Sequence, residues 1–299
     1  MFYMTMGNAV GVVGTGTMGS RMVEQLVGAG LSVLTYDIDD DANEVSAGMG
    51  ATIAESATAV ANSTEVTLMS LPMPSDVRIV VQGTRGLLAA SSPPRVVVDL
   101  STTDPGTSRS LAAECRRRDI GYLDTPVLGR PRTCGSWTLV VGGDPADMEF
   151  ARPFLSPLAT NIVPVGTSGA GHAFKLLNNL MFGAINSSVV EVFSLVGRVG
   201  LDPQIFLQTV TESNAASVSN LLLEIGPKII NRDWAVDFSV DLLRKDIKLA
   251  IAMADETGVA LPTARAVDLL NELGHAAGLG GLDTSALIQV LEDHTRSKP

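Results

Sequence analysis

Cysteine is almost missing from this 299-residue chain, which has only Cys115 and Cys134. Two residues exclude a disulfide scaffold, and they form neither a CxxC pair nor a zinc-ligand pattern. Such sparing use fits a reducing compartment. Aromatic residues make up 4% of the chain, and 21 basic side chains face 32 acidic ones, a net charge of −11. A field of that sign repels phosphate backbones and anionic membrane surfaces, so neither nucleic acid nor membrane is an expected partner. Residues 1–14 lack a positive n-region and a small-residue cleavage site, so no signal peptide is read. The most apolar window, 176–200, is broken by Asn178, Asn179, Asn186, Ser187, Ser188 and Glu191. It reads as a core helix, not a membrane span. The expected location is therefore the cytoplasm. The histidines His172, His275 and His294 are scattered, and no metal site is expected.

What remains is ample apolar content, 45% of residues, arranged in two styles. In the first half, β-rich runs at 9–13, 31–36, 66–71, 96–100, 138–141 and 162–165 alternate with helical stretches. That rhythm predicts an α/β fold, a mostly parallel, doubly wound sheet with helices on both faces. From about Gly171 the chain reads as helix after helix, with breaks at Gly200, Pro203, Pro227, Pro262 and 278–281. Residues 171–197 could form one helix of about 40 Å, at 1.5 Å per residue. It would carry the chain from a first domain, 1–165, into an all-α C-terminal domain, 166–299.

Gly14-Thr15-Gly16-Thr17-Met18-Gly19 matches GxGxxG. The pattern is weak alone, but here it follows a β run and opens a helix. The first glycine suits the tight turn, the second a close approach to a pyrophosphate, and the third tight helix–strand packing. The helix start then offers N–H groups to the phosphates. Asp37 ends the second β run, where a carboxylate can bind both adenosine-ribose hydroxyls and repel an extra phosphate. No arginine follows it, only Ile38, Asp39, Asp40 and Asp41. NAD is therefore expected before NADP. Leu71 and Pro72, closing the 66–71 run, are further candidate cofactor contacts.

The chain has 16 arginines and five lysines: Lys175, Lys228, Lys245, Lys248 and Lys298, none of them before residue 175. Where arginine meets general needs for charge, a retained lysine points to work that arginine cannot do, such as giving up a proton. Lys175, Asn178 and Asn179 share one face of the long helix. Such a patch either faces a cleft or ligand, or is a snorkelling lysine with two asparagines bonded to neighbouring helices. The residues alone leave both open.

These motifs together resemble the β-hydroxyacid dehydrogenases, the family of 3-hydroxyisobutyrate dehydrogenase. The likeness includes the Gly14–Gly19 turn. Residues 99–108 look like its D-x-S-T-x-x-P-x-T-S loop, 169–179 are similar to its G-x-G-x-x-x-K-x-x-N-N segment, and Lys245-Asp246-Ile247 resembles its K-D-[LI]. The resemblance implies a Rossmann-type domain and a helical domain joined by a long helix. It implies NAD(P)-dependent interconversion of a small 3-hydroxy acid and its semialdehyde or keto acid. By the same resemblance Lys175 is the general acid/base, Asn179 orients the substrate, Ser101 and Thr102 line the cleft, and Lys245 sits on the nicotinamide side. A lysine near its ordinary pKa of about 10.4 is a poor base at neutral pH, so its surroundings must help it.

One stretch departs from the family. After D-x-P-V the family shows S-G-G-x-x-G-A-x-x-G-T-L. Here the run is Leu128-Gly129-Arg130-Pro131-Arg132-Thr133-Cys134-Gly135-Ser136-Trp137-Thr138-Leu139. Gly129 alone is kept in the substrate turn. Arg130 or Arg132 is a candidate for the substrate's anionic group, since arginine offers a bidentate fork; a solvated turn is the plainer reading, favoured for Arg132. Leu128 and Trp137 could instead signal a larger, less polar substrate. His172 reads as a helix-start histidine without catalytic role, Cys134 as packing, and Ser101 as lacking triad partners. Two other readings stand: an imine reductase of the same fold, disfavoured by Lys175, and a non-catalytic dinucleotide-binding protein. A small carboxylic acid is the expected substrate, and a homodimer or homotetramer the expected assembly.

Overall fold

The computed structural model describes residues 9–213 and 219–296, in two compact units that divide between Lys175 and Leu176. In the first unit the strands are β1 (Ala9–Val13), β2 (Ser32–Tyr36), β3 (Thr52–Ile53), β4 (Val66–Met69), β5 (Val96–Asp99), β6 (Gly121–Asp124), β7 (Val127–Leu128), β8 (Trp137–Gly142) and β9 (Ala159–Gly166). The helices there are α1 (Gly19–Gly28), α2 (Asp40–Gly48), α3 (Ala57–Ala61), α4 (Pro74–Gln82), α5 (Pro105–Arg116) and α6 (Pro145–Leu155). The sheet order is β3-β2-β1-β4-β5-β6-β8-β7, with β9 beside β8. Strands β1 to β6 pair in parallel, whereas β8 is antiparallel to β6 and β7.

The apolar runs read at 9–13, 31–36, 66–71 and 96–100 form the centre of this sheet because both of its faces are covered there, whereas the 162–165 run lies in β9, at an edge and mostly exposed. Side chains alternate between the faces. Val10, Val12, Leu68 and Val98 pack with Met22 and Leu26 of α1. Val13, Met69 and Val97 pack with Val77 of α4 and Leu111 of α5. The run expected over 66–71 ends as a strand at Met69. Ser70 still donates to the Val13 carbonyl, but the Leu71 N–H turns to the Ser101 hydroxyl, 3.0 Å away. Strands β3, β6 and β7 add to the runs read from the sequence. Two of them have only two residues, and Gly121-Tyr122-Leu123-Asp124 carries too little apolar pattern to be read alone.

Helix α7 (Ala170–Val196) begins in the first unit and continues into the second. The second unit adds α8 (Pro203–Glu212), α9 (Asn220–Asn231), α10 (Val240–Thr257), α11 (Pro262–Ala276) and α12 (Ile288–Arg296). No strand occurs there among the described residues. By length and composition α7 could cross a membrane. One face is nonetheless buried, polar residues included: Asn179, Asn186 and Ser187 lie among Leu176, Val190 and Phe193, and Asn186 donates to the Thr284 carbonyl at 3.3 Å. The expected core helix is thus buried on one side only. Leu177, Met181, Val192 and Leu195 lie exposed on the other.

A buried carboxylate anchors the approach to α10. Asp283 accepts from the N–H groups of Asp237 (3.0 Å) and Ser285 (3.1 Å) and from the Ser285 hydroxyl (2.8 Å), and it pairs with Lys228 at 3.2 Å. Burial pushes its pKa up, but these hydrogen bonds and Lys228 outweigh burial and hold it below the usual carboxylate value. A depressed acid stabilises the fold above its unfolded pKa, and that contribution is lost as pH falls through its folded pKa. Asp283→Asn should therefore cost about 2 kcal/mol at neutral pH and flatten the acid limb of stability against pH. Denaturant titration across pH checks both effects.

Candidate active site

The loops at the carboxyl ends of β1, β2, β4 and β5 each carry a residue singled out above, which is where open α/β sheets place their ligands. After β1, Gly14 has φ +85, and a Cβ there would strike the Ser70 carbonyl oxygen. A Cβ on Gly19 would strike the Gly14 carbonyl oxygen, so turn and helix pack backbone on backbone. Gly16 is different: it is exposed, and a Cβ would meet nothing within 4 Å. Thr17 is exposed and Met18 half-buried, and α1 starts without a side-chain cap or an acidic first turn. An open glycine and an uncapped helix start fit a dinucleotide pyrophosphate.

Asp37 follows β2 and is half-buried. One carboxylate oxygen accepts from the Thr15 N–H at 2.6 Å and the other from the Asp39 N–H at 3.0 Å. These bonds aim the carboxylate at the glycine turn and leave lone pairs on both oxygens for ribose hydroxyls. After β4, Leu71 is half-buried and Pro72 exposed; after β5, Ser101 is buried and Thr102 half-buried. Ser101 is fixed twice: its hydroxyl accepts from the Leu71 N–H, and its own N–H donates to Asp99 at 3.0 Å.

After β6, the buried Asp124 carboxylate caps the start of α7, accepting from the Gly169 N–H (2.7 Å) and the His172 N–H (3.1 Å). Burial raises its pKa, and the His172 ring and these two N–H groups offset burial only in part. A Cβ on Gly171 would strike the Asp124 carbonyl oxygen, so the helix sits directly against β6. One turn on, Lys175 donates from Nζ to the Val127 carbonyl at 2.8 Å. The lysine nitrogen therefore stands beside the turn that departs from the family pattern.

That turn is built around Trp137. The indole is fully buried, donates from Nε1 to the Arg130 carbonyl at 2.8 Å, and occupies the space a Cβ on Gly129 would need. Trp137 therefore fills the core beneath Gly129 and lines no substrate pocket, which removes it as a sign of a larger substrate. Arg130 is half-buried with its backbone tied to Thr133, and Arg132 is exposed. Burial pushes the Cys134 thiol up to about 12, which suits packing and not attack.

A second cluster lies in the helical unit. Asn179, buried, donates to Asp246 at 2.6 Å and accepts from Asn178 at 3.2 Å. Lys245 pairs with the other Asp246 oxygen at 3.0 Å. The structure thus joins Asn179 to Lys245 through Asp246, a residue the sequence showed only as part of K-D-I and to which no role was given. Its signal was an acid placed next to a retained lysine. Lys175 and Asn179, one helical turn apart on α7, each belong to one cluster. Phe238 stacks edge-on against Phe182 at 5.4 Å and is core packing. No metal-binding group of three or more ligands occurs among the described residues.

Residues 9–166 match the family model described as the NAD binding domain of 6-phosphogluconate dehydrogenase. Residues 169–291 match that described as the NAD-binding region of NADP-dependent 3-hydroxyisobutyrate dehydrogenase. The chain is 32% identical to 2-(hydroxymethyl)glutarate dehydrogenase of Eubacterium barkeri, covering 96% of this chain and 95% of the relative. It is 31% identical to 2-hydroxy-3-oxopropionate reductase of Escherichia coli, covering 95% and 97%. Among solved structures it is similar to 3-hydroxyisobutyrate dehydrogenase of Salmonella typhimurium, with TM-score 0.86, 26% identity, and 94% and 99% coverage.

Proposed function

Since the chain belongs to the β-hydroxyacid dehydrogenase family of NAD(P)-dependent CH–OH oxidoreductases, we propose that it interconverts a small 3-hydroxy acid and its semialdehyde or keto acid with NAD(H), using Lys175 as general acid/base. The observation that carries the assignment of roles is Lys175 Nζ held at 2.8 Å on the Val127 carbonyl, at the carboxyl end of the sheet. When bound, the nicotinamide takes or gives the hydride at the carbinol carbon. The protein's part is to hold the dinucleotide, place the substrate and move one proton. Gly14, Gly16, Thr17, Met18 and Gly19 would cradle the pyrophosphate and Asp37 the adenosine ribose, with Leu71, Pro72 and Lys245 as further contacts. Ser101, Thr102 and Asn179 would orient the substrate. In oxidation Lys175 Nζ, as the neutral amine, accepts the hydroxyl proton as the carbonyl forms and becomes the ammonium; in reduction the ammonium returns that proton to the carbonyl oxygen.

NAD is favoured over NADP by Asp37, whose carboxylate and acidic neighbours 39–41 repel a ribose phosphate. Arg130 is assigned to a substrate anion because the family's serine and glycine are Leu128 and Arg130 here; one relative is named for a hydroxymethylglutarate. Arg130→Ala should lower kcat/KM about 10- to 100-fold, the cost of one charge-assisted pair at 1.5–3 kcal/mol, mostly through KM. An unchanged kcat/KM on the true substrate removes Arg130 from the site. The assembly is a homodimer or homotetramer on this reading, supported by the exposed Leu177, Met181, Val192 and Leu195 of α7. The test of the whole is turnover on a panel of 3-hydroxy mono- and dicarboxylic acids with NAD and NADP. Oxidation with NAD preferred is expected; no turnover on any member contradicts the proposal.

A further inference from the structure

One titratable ring at the site has no part in the chemistry above. His172 has no exposed surface. Its Nδ1 lies 2.7 Å from the Thr103 hydroxyl and 2.6 Å from the Ser108 hydroxyl. Its Nε2 has no hydrogen-bond partner and faces the Asp99 carboxylate at 4.0 Å. Asp99 is fully buried too, accepting from the Tyr122 hydroxyl at 2.8 Å and the Ser101 N–H at 3.0 Å. Three segments thus converge on one imidazole: the loop after β5 that carries Ser101 and Thr103, the first turns of α5 through Ser108, and the first turn of α7.

We propose that His172 is the positioning residue for Lys175. The Asp124 cap holds only backbone N–H groups of the α7 start, which fixes the helix end but leaves its first turn to be oriented by side chains. The His172 ring, wedged between Thr103, Ser108 and Asp99, supplies that orientation. Lys175 lies three residues on, on the adjoining face, so the ring sets where Nζ stands against the Val127 carbonyl. It also ties that position to the Ser101 loop, through Asp99. The placement of Lys175 does not depend on the catalytic reading; only its effect on turnover rests on it.

The scarcity of lysine makes the test direct. Reductive ¹³C-methylation of the full chain labels its few lysines, and the Lys175→Arg variant assigns the Lys175 signal. His172→Leu, which keeps bulk and removes both ring nitrogens, should shift or broaden the Lys175 signal and leave those of Lys228, Lys245 and Lys248 in place. His172→Asn, whose amide reaches the Nδ1 position, should restore it. An unmoved Lys175 signal in the Leu variant, or the same signal in Leu and Asn variants, overturns the proposal. If His172→Leu loses its fold, all dispersed signals collapse together. The paired Thr103→Val, Ser108→Ala variant then carries the same expectation, and its unmoved Lys175 signal overturns the proposal equally. In turnover, kcat should fall roughly tenfold in His172→Leu with the dinucleotide KM unchanged. A moved Lys175 signal in a protein whose parent turns nothing over would leave the positioning standing and refute the catalytic role alone.

Discussion

Lys175→Ala should lower kcat by about 10² to 10⁴, the range that a positioned proton carrier contributes, while dinucleotide affinity stays within about twofold. The split follows from where the residues stand. The dinucleotide candidates follow β1, β2 and β4, with Lys245 on α10, whereas Lys175 lies on α7 with its Nζ on the Val127 carbonyl. Removing the amine takes away the acceptor for the hydroxyl proton and leaves the cradle as it is. Lys175→Arg should not rescue turnover. A guanidinium keeps the charge and hydrogen-bonding capacity but cannot release its proton near neutral pH. Steady-state kinetics with dinucleotide binding measured in parallel checks both variants. Equal kcat in Lys175→Arg and the parent protein would show that the site needs a cation and not a base.

Asp37→Ala should change the preference for NAD over NADP by about 10²-fold or more. A carboxylate binding two ribose hydroxyls contributes about 1.5–3 kcal/mol for each charged hydrogen bond, and its loss also lifts repulsion of a ribose phosphate. The same carboxylate holds the Thr15 N–H at 2.6 Å and the Asp39 N–H at 3.0 Å. The alanine variant should therefore also loosen the glycine turn and weaken both cofactors somewhat. Asp37→Asn keeps one acceptor for that turn and should fall between. Titrating NADH and NADPH into each variant separates the two effects. A preference ratio left unchanged by both substitutions would place ribose recognition elsewhere.

Most of the fold was legible because local signals agreed with one another. The central strands are continuous apolar runs, and the glycine turn stands between a strand and a helix. Short strands were not legible: β6 draws its stability from pairing with β5, and β7 from pairing with β8, and neither from its own pattern. Gly16, Asp37 and Lys175 could be singled out because each breaks a local rule in a recognisable context. Asp246, His172 and Trp137 could not be placed, for physical reasons. Asp246 gains its role from Asn179, which lies 67 residues earlier in the chain, and His172 from hydroxyls 69 and 64 residues away. Such contacts leave no trace in spacing. Trp137 looked like a change of substrate because the family's glycine is replaced. The structure shows the replacement balanced within the turn, since the indole fills the space beneath Gly129.

The most direct measurement follows a hydrogen isotope. A 3-hydroxy acid that turns over is prepared with deuterium on its carbinol carbon and oxidised in ordinary water with NAD. The reduced nicotinamide is then recovered and weighed by mass spectrometry. The account predicts one deuterium in the recovered cofactor, because the hydride moves directly and Lys175 handles only the hydroxyl proton. Deuterium released to water, or a reduced cofactor without the label, would contradict direct hydride transfer.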